Sequence, residues 1–414
     1  MKKLPSIIWF LSGGLFFVGA GQSVVFITIP PLARDLGLSE VQTGIIFASS
    51  ALAWMVFSPY WGKLSDRIGR KLVVLIGLLG CALSLVLFST ALTLGTSNTL
   101  LGWKLLTVLI LARMINGILG SATRPASGAW IADVTDPEER GGGYGRLNSG
   151  FSAGRIVGPA IAGFLLLISY TLPFYIFSLG LLLTTLVLLK QPGGNKDLKV
   201  SLEKGNLKLF DDRVWPFLLV GACLGVCNAA LVQTASFYFQ DVIIPSASNP
   251  ITYASMGFMV AAFGSILGQL LIADRLRISP GSLLRYGVLI CGLAFLGISQ
   301  SDSLTSIYIS LFLSGFGQGI LSTGIAAAIS LSVGPKNQGK ANGFMGMIMP
   351  IGHVISPLVA MPLYMISPEY PYFLGSSAMF MMLLFIHVNG RHKWIRNKGY
   401  RRVSLEPAQS VEEG

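Results

Sequence analysis

The chain is predicted to be an all-α membrane protein of twelve transmembrane helices in two six-helix halves, and three observations predict it. Only 12% of the 414 residues are charged against 52% hydrophobic, with a mean hydropathy of +0.68. A soluble domain carries about 25% charge. Apolar stretches near the roughly 20 residues needed to cross a bilayer recur along the chain. They are continuously apolar rather than alternating, which excludes a barrel and leaves helices as the way to satisfy backbone polar groups in lipid. The third observation is an internal repeat.

Taken in order, the first half places spans at 6–28, 41–60, 72–92, 104–131, 142–168 and 172–190. The second half places them at 214–239, 251–273, 282–299, 303–332, 340–364 and 370–389. Spans four, five, ten and eleven are interrupted by Gly and Pro, which loosens their boundaries. The polar stretch 191–213 divides the halves, so the expected organisation is 1–190, a linker 191–213, 214–389 and a disordered tail 390–414.

The repeat is read residue against residue. Gly154-Arg155-Ile156-Val157-Gly158-Pro159 in span five matches Gly352-His353-Val354-Ile355-Ser356-Pro357 in span eleven at an offset of 198. Asn116-Gly117-Ile118-Leu119 in span four matches Gln318-Gly319-Ile320-Leu321 in span ten. Asp66-Arg67 before span three is echoed by Asp274-Arg275 before span nine. Two parallel six-helix repeats imply a pseudo-twofold axis along the membrane normal and a site between the halves near mid-membrane.

The net charge of +12 does not point to nucleic acid, because of where the cations lie. Lys2, Lys3, Lys63, Arg67, Arg70, Lys71, Arg140, Arg146, the linker and the tail fall on one side; the other holds only Arg34 and Lys104. This is the positive-inside pattern, and it puts both termini and the linker in the cytoplasm. Cys81, Cys223, Cys227 and Cys291 lie inside apolar spans with no His or acid beside them, so they read as packing residues rather than a metal site. The start Met1-Lys2-Lys3 reads as an uncleaved first helix.

The run Gly62-Lys63-Leu64-Ser65-Asp66-Arg67-Ile68-Gly69-Arg70-Lys71 resembles the loop signature between spans two and three of the major facilitator superfamily. Arg113-Met114-Ile115-Asn116-Gly117 resembles the span-four motif of its proton-coupled drug antiporters. Gly154 through Gly158, Pro159 and Gly163 resemble the span-five antiporter motif, and Ala129 to Arg140 the matching loop of tetracycline efflux proteins. The resemblance implies the major facilitator fold, alternating access and export of a small organic molecule with protons as the coupling ion. It also implies a monomer in a bacterial inner membrane, without cofactor or metal. Uptake, and export of an anionic metabolite such as a carboxylate siderophore, remain alternatives. By the same resemblance, Gly62, Asp66, Arg67, Gly69, Arg70 and Lys71 gate the cycle, with Asp133 pairing to Arg70 to hold the outward-open state. Gly62 is expected to permit close helix approach, and Asp66 to cap the start of span three.

Ionisable residues inside a membrane are functional candidates by default. They are Arg113, Arg155 and His353, with Arg124 nearer one end; Gln22, Asn116, Asn228 and Gln318 are the polar neutral candidates for the substrate and proton pathway. Arg155 and His353 sit at equivalent positions, about 20 Å into their spans. None of the 18 acidic residues falls at mid-span in this placement, and Gln22 stands where some relatives have a carboxylate. His353 titrating with Asp35 or Arg113 is one expectation that follows. A cavity with these cations and no carboxylate would favour anions. A membrane-embedded enzyme would need a nucleophile, metal cluster or acid–base pair, and the sequence offers none.

Overall fold

A computed structural model describes residues 6–135, 140–192, 207–245, 250–274, 279–333 and 338–389. The linker between 193 and 206, the tail from 390 and the acidic stretch 136–139 lie outside them, as do the expectations made for those segments. The helices are α1 (Ile7–Ala33), α2 (Glu40–Ile68), α3 (Arg70–Thr96), α4 (Gly102–Ile115), α5 (Thr123–Val134), α6 (Arg140–Leu166) and α7 (Leu172–Leu189) in the first half. The second half holds α8 (Trp215–Tyr238), α9 (Pro250–Asp274), α10 (Pro280–Ser299), α11 (Leu304–Ser332), α12 (Gln338–Ile366) and α13 (Tyr370–Asn389). Span four is α4 and α5 joined through a π-helical turn, Asn116–Gly120, and a second π turn, Phe239–Ile243, ends span seven. Twelve passes result. Among the described residues, ten helical segments are long and apolar enough to cross a membrane, and Ile351–Ile366 is a shorter apolar one.

The two halves repeat one packing scheme. Gly154 lies against the Phe16 carbonyl of α1, and its counterpart Gly352 against the Gly225 carbonyl of α8. Gly117 lies against Ser50 of α2, and Gly319 against Ser265 of α9. Ser178 on α7 donates to the Ala82 carbonyl at 3.2 Å, and Ser376 on α13 to the Gly292 carbonyl at 2.9 Å. Small residues let the backbones approach and serine links the helices, because lipid supplies no hydrophobic force between them. Leu183 and Leu186 on α7, with Met381 and Leu384 on α13, are more than half exposed, as suits faces turned to acyl chains.

The halves meet away from the basic signature. A methyl on Gly44 of α2 would sit 2.7 Å from Pro357 Cβ of α12, and one on Gly163 of α6 would sit 3.1 Å from Ser255 Cβ of α9. All four residues lie toward the ends of their helices opposite the 62–71 segment, called here the opposite face.

Three expectations about the signature are corrected. It is not a loop: α2 continues to Ile68 and α3 starts at Arg70, leaving Gly69 alone between them. Asp66 does not cap α3, whose N-cap is Gly69 without a side-chain bond; in the last turn of α2 it ion-pairs with Arg70 instead. Gly62 makes only ordinary contact, since a methyl there would be 3.6 Å from Pro125 Cβ. Gly69 is the demanding glycine, at φ 105° and ψ 142°, where an L side chain is strained by about 1–3 kcal/mol. Gly69→Ala should therefore lower the thermal unfolding temperature of the purified protein, whereas Gly62→Ala should leave it nearly unchanged.

Candidate functional site: a central cavity and its two ends

A cavity of about 400 Å³ lies between the halves and adjoins a second lobe of about 200 Å³; Gln22, Phe26, Arg155, Gln269 and His353 line both. The first lobe adds Arg113, Arg124 and the rings of Phe47, Trp54 and Phe151. The second adds Asn228, Ser314, Gln318 and Pro159. Three guanidinium groups thus line the first lobe, while the second adds amides to the shared Arg155. No carboxylate lines either among the described residues.

Each cation is held differently. Arg113 sits in the last turn of α4, one turn before the π segment, with only 3% of its surface exposed. Its Nε and Nη1 have no hydrogen-bond partner. Arg124 donates from Nη2 to Asn148 Oδ1 at 3.2 Å and stacks over the Phe151 ring at 4.6 Å. His353 stacks on Phe26 with centroids 4.5 Å apart and planes 14° from parallel, so an aromatic pair bridges α12 and α1. The Gln233 oxygen accepts from Ser356 at 3.0 Å, and its amide nitrogen faces His353 Nδ1 at 3.5 Å.

Asn116 is not brought to the cavity. It is buried in the π turn, where Ser50 faces its oxygen at 3.4 Å and Cys81 its nitrogen at 3.6 Å. The residue that corresponds to it in the repeat, Gln318, does line the second lobe. Asp35 is exposed and lines neither lobe, so its expected partnership with His353 has no counterpart here. In the span-five motif, Gly154 and Gly158 seal α6 onto α1, where a methyl on Gly158 would meet Ala20 Cα at 2.7 Å. Pro159 faces the second lobe, and Gly163 touches the other half.

The opposite face is tied shut by a cluster that sequence reasoning did not assemble. Arg34, just past α1, donates from Nη2 to Asp241 Oδ2 at 2.9 Å and from Nε to Glu40 Oε1 at 2.9 Å. A second Arg34–Asp241 contact completes a fork. The Tyr364 hydroxyl donates to Asp241 at 2.7 Å, and Arg34 lies 5.1 Å from the Phe237 ring centroid. Two residues of the first half and three of the second thus share one knot. Hydrogen bonding to Asp241, and then to Glu40, raises the Arg34 guanidinium above its ordinary range and keeps it charged. The available signal was Arg34 standing almost alone as a cation on that face.

At the basic face, Arg70 reaches Asp133 Oδ2 from Nε at 3.2 Å and Ser65 Oγ from Nη1 at 2.7 Å, besides its pair with Asp66. Lys71 donates to the Leu189 and Gln191 carbonyls at 2.7 Å, closing the end of α7. Arg67 is exposed. The Arg70–Asp133 pair forms as expected, but it does so here with the opposite face closed, so it is not confined to a state open on that face as the resemblance implied.

Two helical repeats around a polar cavity, closed at one end by ion pairs, describe a membrane carrier of the alternating-access type. The Major Facilitator Superfamily model matches residues 11–357 and 251–407, and the chain belongs to that family. It is 25% identical over 404 residues to quinolone resistance protein NorA of Staphylococcus aureus, covering 95% of this chain and 98% of NorA. It is 26% identical over 386 residues to multidrug resistance protein 1 of Bacillus subtilis, covering 91% and 94%. In fold it is similar to a bacterial homologue of the human lysosomal transporter Spinster, solved inward-facing and occupied, with TM-score 0.66, 15% identity and 98% of both chains covered. A POT family transporter in complex with 5-aminolevulinic acid gives TM-score 0.68 at 12% identity, over 92% of this chain and 96% of that one.

Proposed function

We propose that this carrier exports a small organic molecule across a bacterial inner membrane in exchange for protons, as a monomer with both termini in the cytoplasm. The observation that carries the reading is the central cavity capped on the opposite face by the Arg34–Asp241–Glu40 knot. With the basic face placed in the cytoplasm by its cations, that knot is an outer gate and the conformation is inward-facing, ready to load cargo from inside. The resistance proteins NorA of Staphylococcus aureus and multidrug resistance protein 1 of Bacillus subtilis support export as the direction. In this reading, opening the gate needs Asp241 to release Arg34, and a proton arriving from outside neutralises Asp241 and frees it.

Everted membrane vesicles from cells expressing the chain should accumulate a fluorescent quinolone when their lumen is acid, and an uncoupler should abolish the uptake. Accumulation by right-side-out vesicles alone would reverse the direction. Uptake that survives the uncoupler would remove the proton from the cycle.

A further inference from the structure

The cavity is chemically lopsided in a way that general carrier function does not require. Arg113, Arg124 and Arg155 converge on the larger lobe, and no acid offsets them among the described lining residues. An arginine at mid-membrane is costly and ordinarily pairs with a carboxylate or with backbone carbonyls. Arg124 has substitutes for these, the Asn148 side-chain oxygen and the Phe151 ring. Arg113 does not: it is 97% buried by surface, lines the cavity, and leaves Nε and Nη1 without a partner. Three guanidinium groups on one lobe, with no acid among its described lining, form a setting that suits a carboxylate or phosphate.

The walls say what the anion is attached to. Phe26, Phe47, Trp54 and Phe151 give the lobe flat apolar faces, which suit a planar ring. The smaller lobe continues into Asn228, Gln269 and Gln318, whose amides both donate and accept but carry no charge. Together the lobes enclose about 600 Å³ (about 400 and about 200), within the range of sites for drug-sized molecules.

We infer that the cargo is an organic anion with a planar aromatic body, its carboxylate or phosphate seated on Arg113 beside Arg155 and its neutral polar end among the amides of the second lobe. The inference rests on the cavity being the cargo site. An anion beside Arg113 offsets the cost of holding that cation in a low-dielectric interior. A cationic body of the same shape would face three guanidinium groups with nothing to compensate it.

The test uses purified full-length protein in phosphatidylcholine nanodiscs and three fluorescent probes on one ring system: dansylglycine, its neutral amide, and the cationic dansylcadaverine. Dansylglycine should bind at least tenfold tighter than the amide, with the cation weakest. Arg113→Gln should erase the preference, and Arg113→Lys should restore part of it, since a point charge attracts the anion without the planar spread of guanidinium donors. Arg155→Gln should reduce the preference as well and serves if Arg113→Gln does not fold. If the wild-type protein binds the amide or the amine as tightly as the acid, the inference is overturned. Replacing phosphatidylcholine by phosphatidylglycerol should leave dansylglycine affinity unchanged; a tenfold loss would assign the site to lipid headgroups and overturn it too. Saturable binding of none of the probes would remove the cavity as the cargo site. Binding is read without any gradient, so failure of export or of proton coupling in vesicles does not bear on it.

Discussion

Arg34→Gln should open the opposite face, the outer one in the proposed orientation. The variant leaves Glu40 and Asp241, which Arg34 now holds from both halves, as two unpaired carboxylates that repel. Arg34 and Asp241 are 39% and 28% exposed at the side chain, so solvent screening limits the knot to about 1–2 kcal/mol. That still shifts a two-state equilibrium roughly 5- to 30-fold. Asp241→Asn should act in the same direction but more weakly, because Glu40 keeps its hold on Arg34; in the proposed cycle it stands in for the protonated gate. The shift can be read with Asn228→Cys in a background where Cys81, Cys223, Cys227 and Cys291 are alanine. Asn228 lines the second lobe, so a membrane-impermeant maleimide applied from outside should label it faster in Arg34→Gln than in the parent. Equal labelling rates would show that the knot does not hold the gate.

Gly154→Val should leave little folded protein. The new side chain would drive into the Phe16 carbonyl and come within 3.0 Å of the Ala20 nitrogen on α1, and neither backbone can yield without separating α6 from α1. Overpacking of this kind costs about 1–3 kcal/mol and more when backbone must move. Gly352→Val should behave alike, since the repeat sets it against the Gly225 carbonyl of α8. Gly145→Val is the control: nothing lies within 4 Å of a methyl there, and expression, size-exclusion profile and unfolding temperature should match the parent. If Gly154→Val were as well folded as Gly145→Val, α6 would not be sealed to α1 by this contact, and the span-five motif would have to act by another means.

These experiments separate what could be read along the chain from what could not. Solvent dictated the passes: 72–92 carries no charged residue and 172–190 none before Lys190, so both must be helical in lipid, and α3 and α7 enclose or nearly match them. The repeat was legible because pseudo-twofold packing demands small residues at the same places, so Gly117 and Gly154 recur in the same order as Gly319 and Gly352. Arg113, Arg155 and His353 stood out because charge in a membrane is expensive, and all three line the cavity.

Pairing was not legible. Asp66 looked like a helix cap and proved to be a partner of Arg70, since a one-residue break at Gly69 keeps α2 helical past it. Asn116 looked like a cavity amide, but the π turn directs it among α2 and α3. Arg34 and Asp241 lie 207 residues apart, and nothing local to either announces the other.

The residue sequence thus decided the solvent, the number of passes, the repeat and the set of membrane-buried cations, because each follows from composition or spacing along one helix. Only the tertiary structure decided that Arg34 ties the two halves together, that Arg113 lines a shared cavity with no acid beside it among the described residues, and that Arg124 joins it there. Those facts depend on which helix faces stand opposite one another. That is set by close packing between segments distant in the chain, which no single segment encodes.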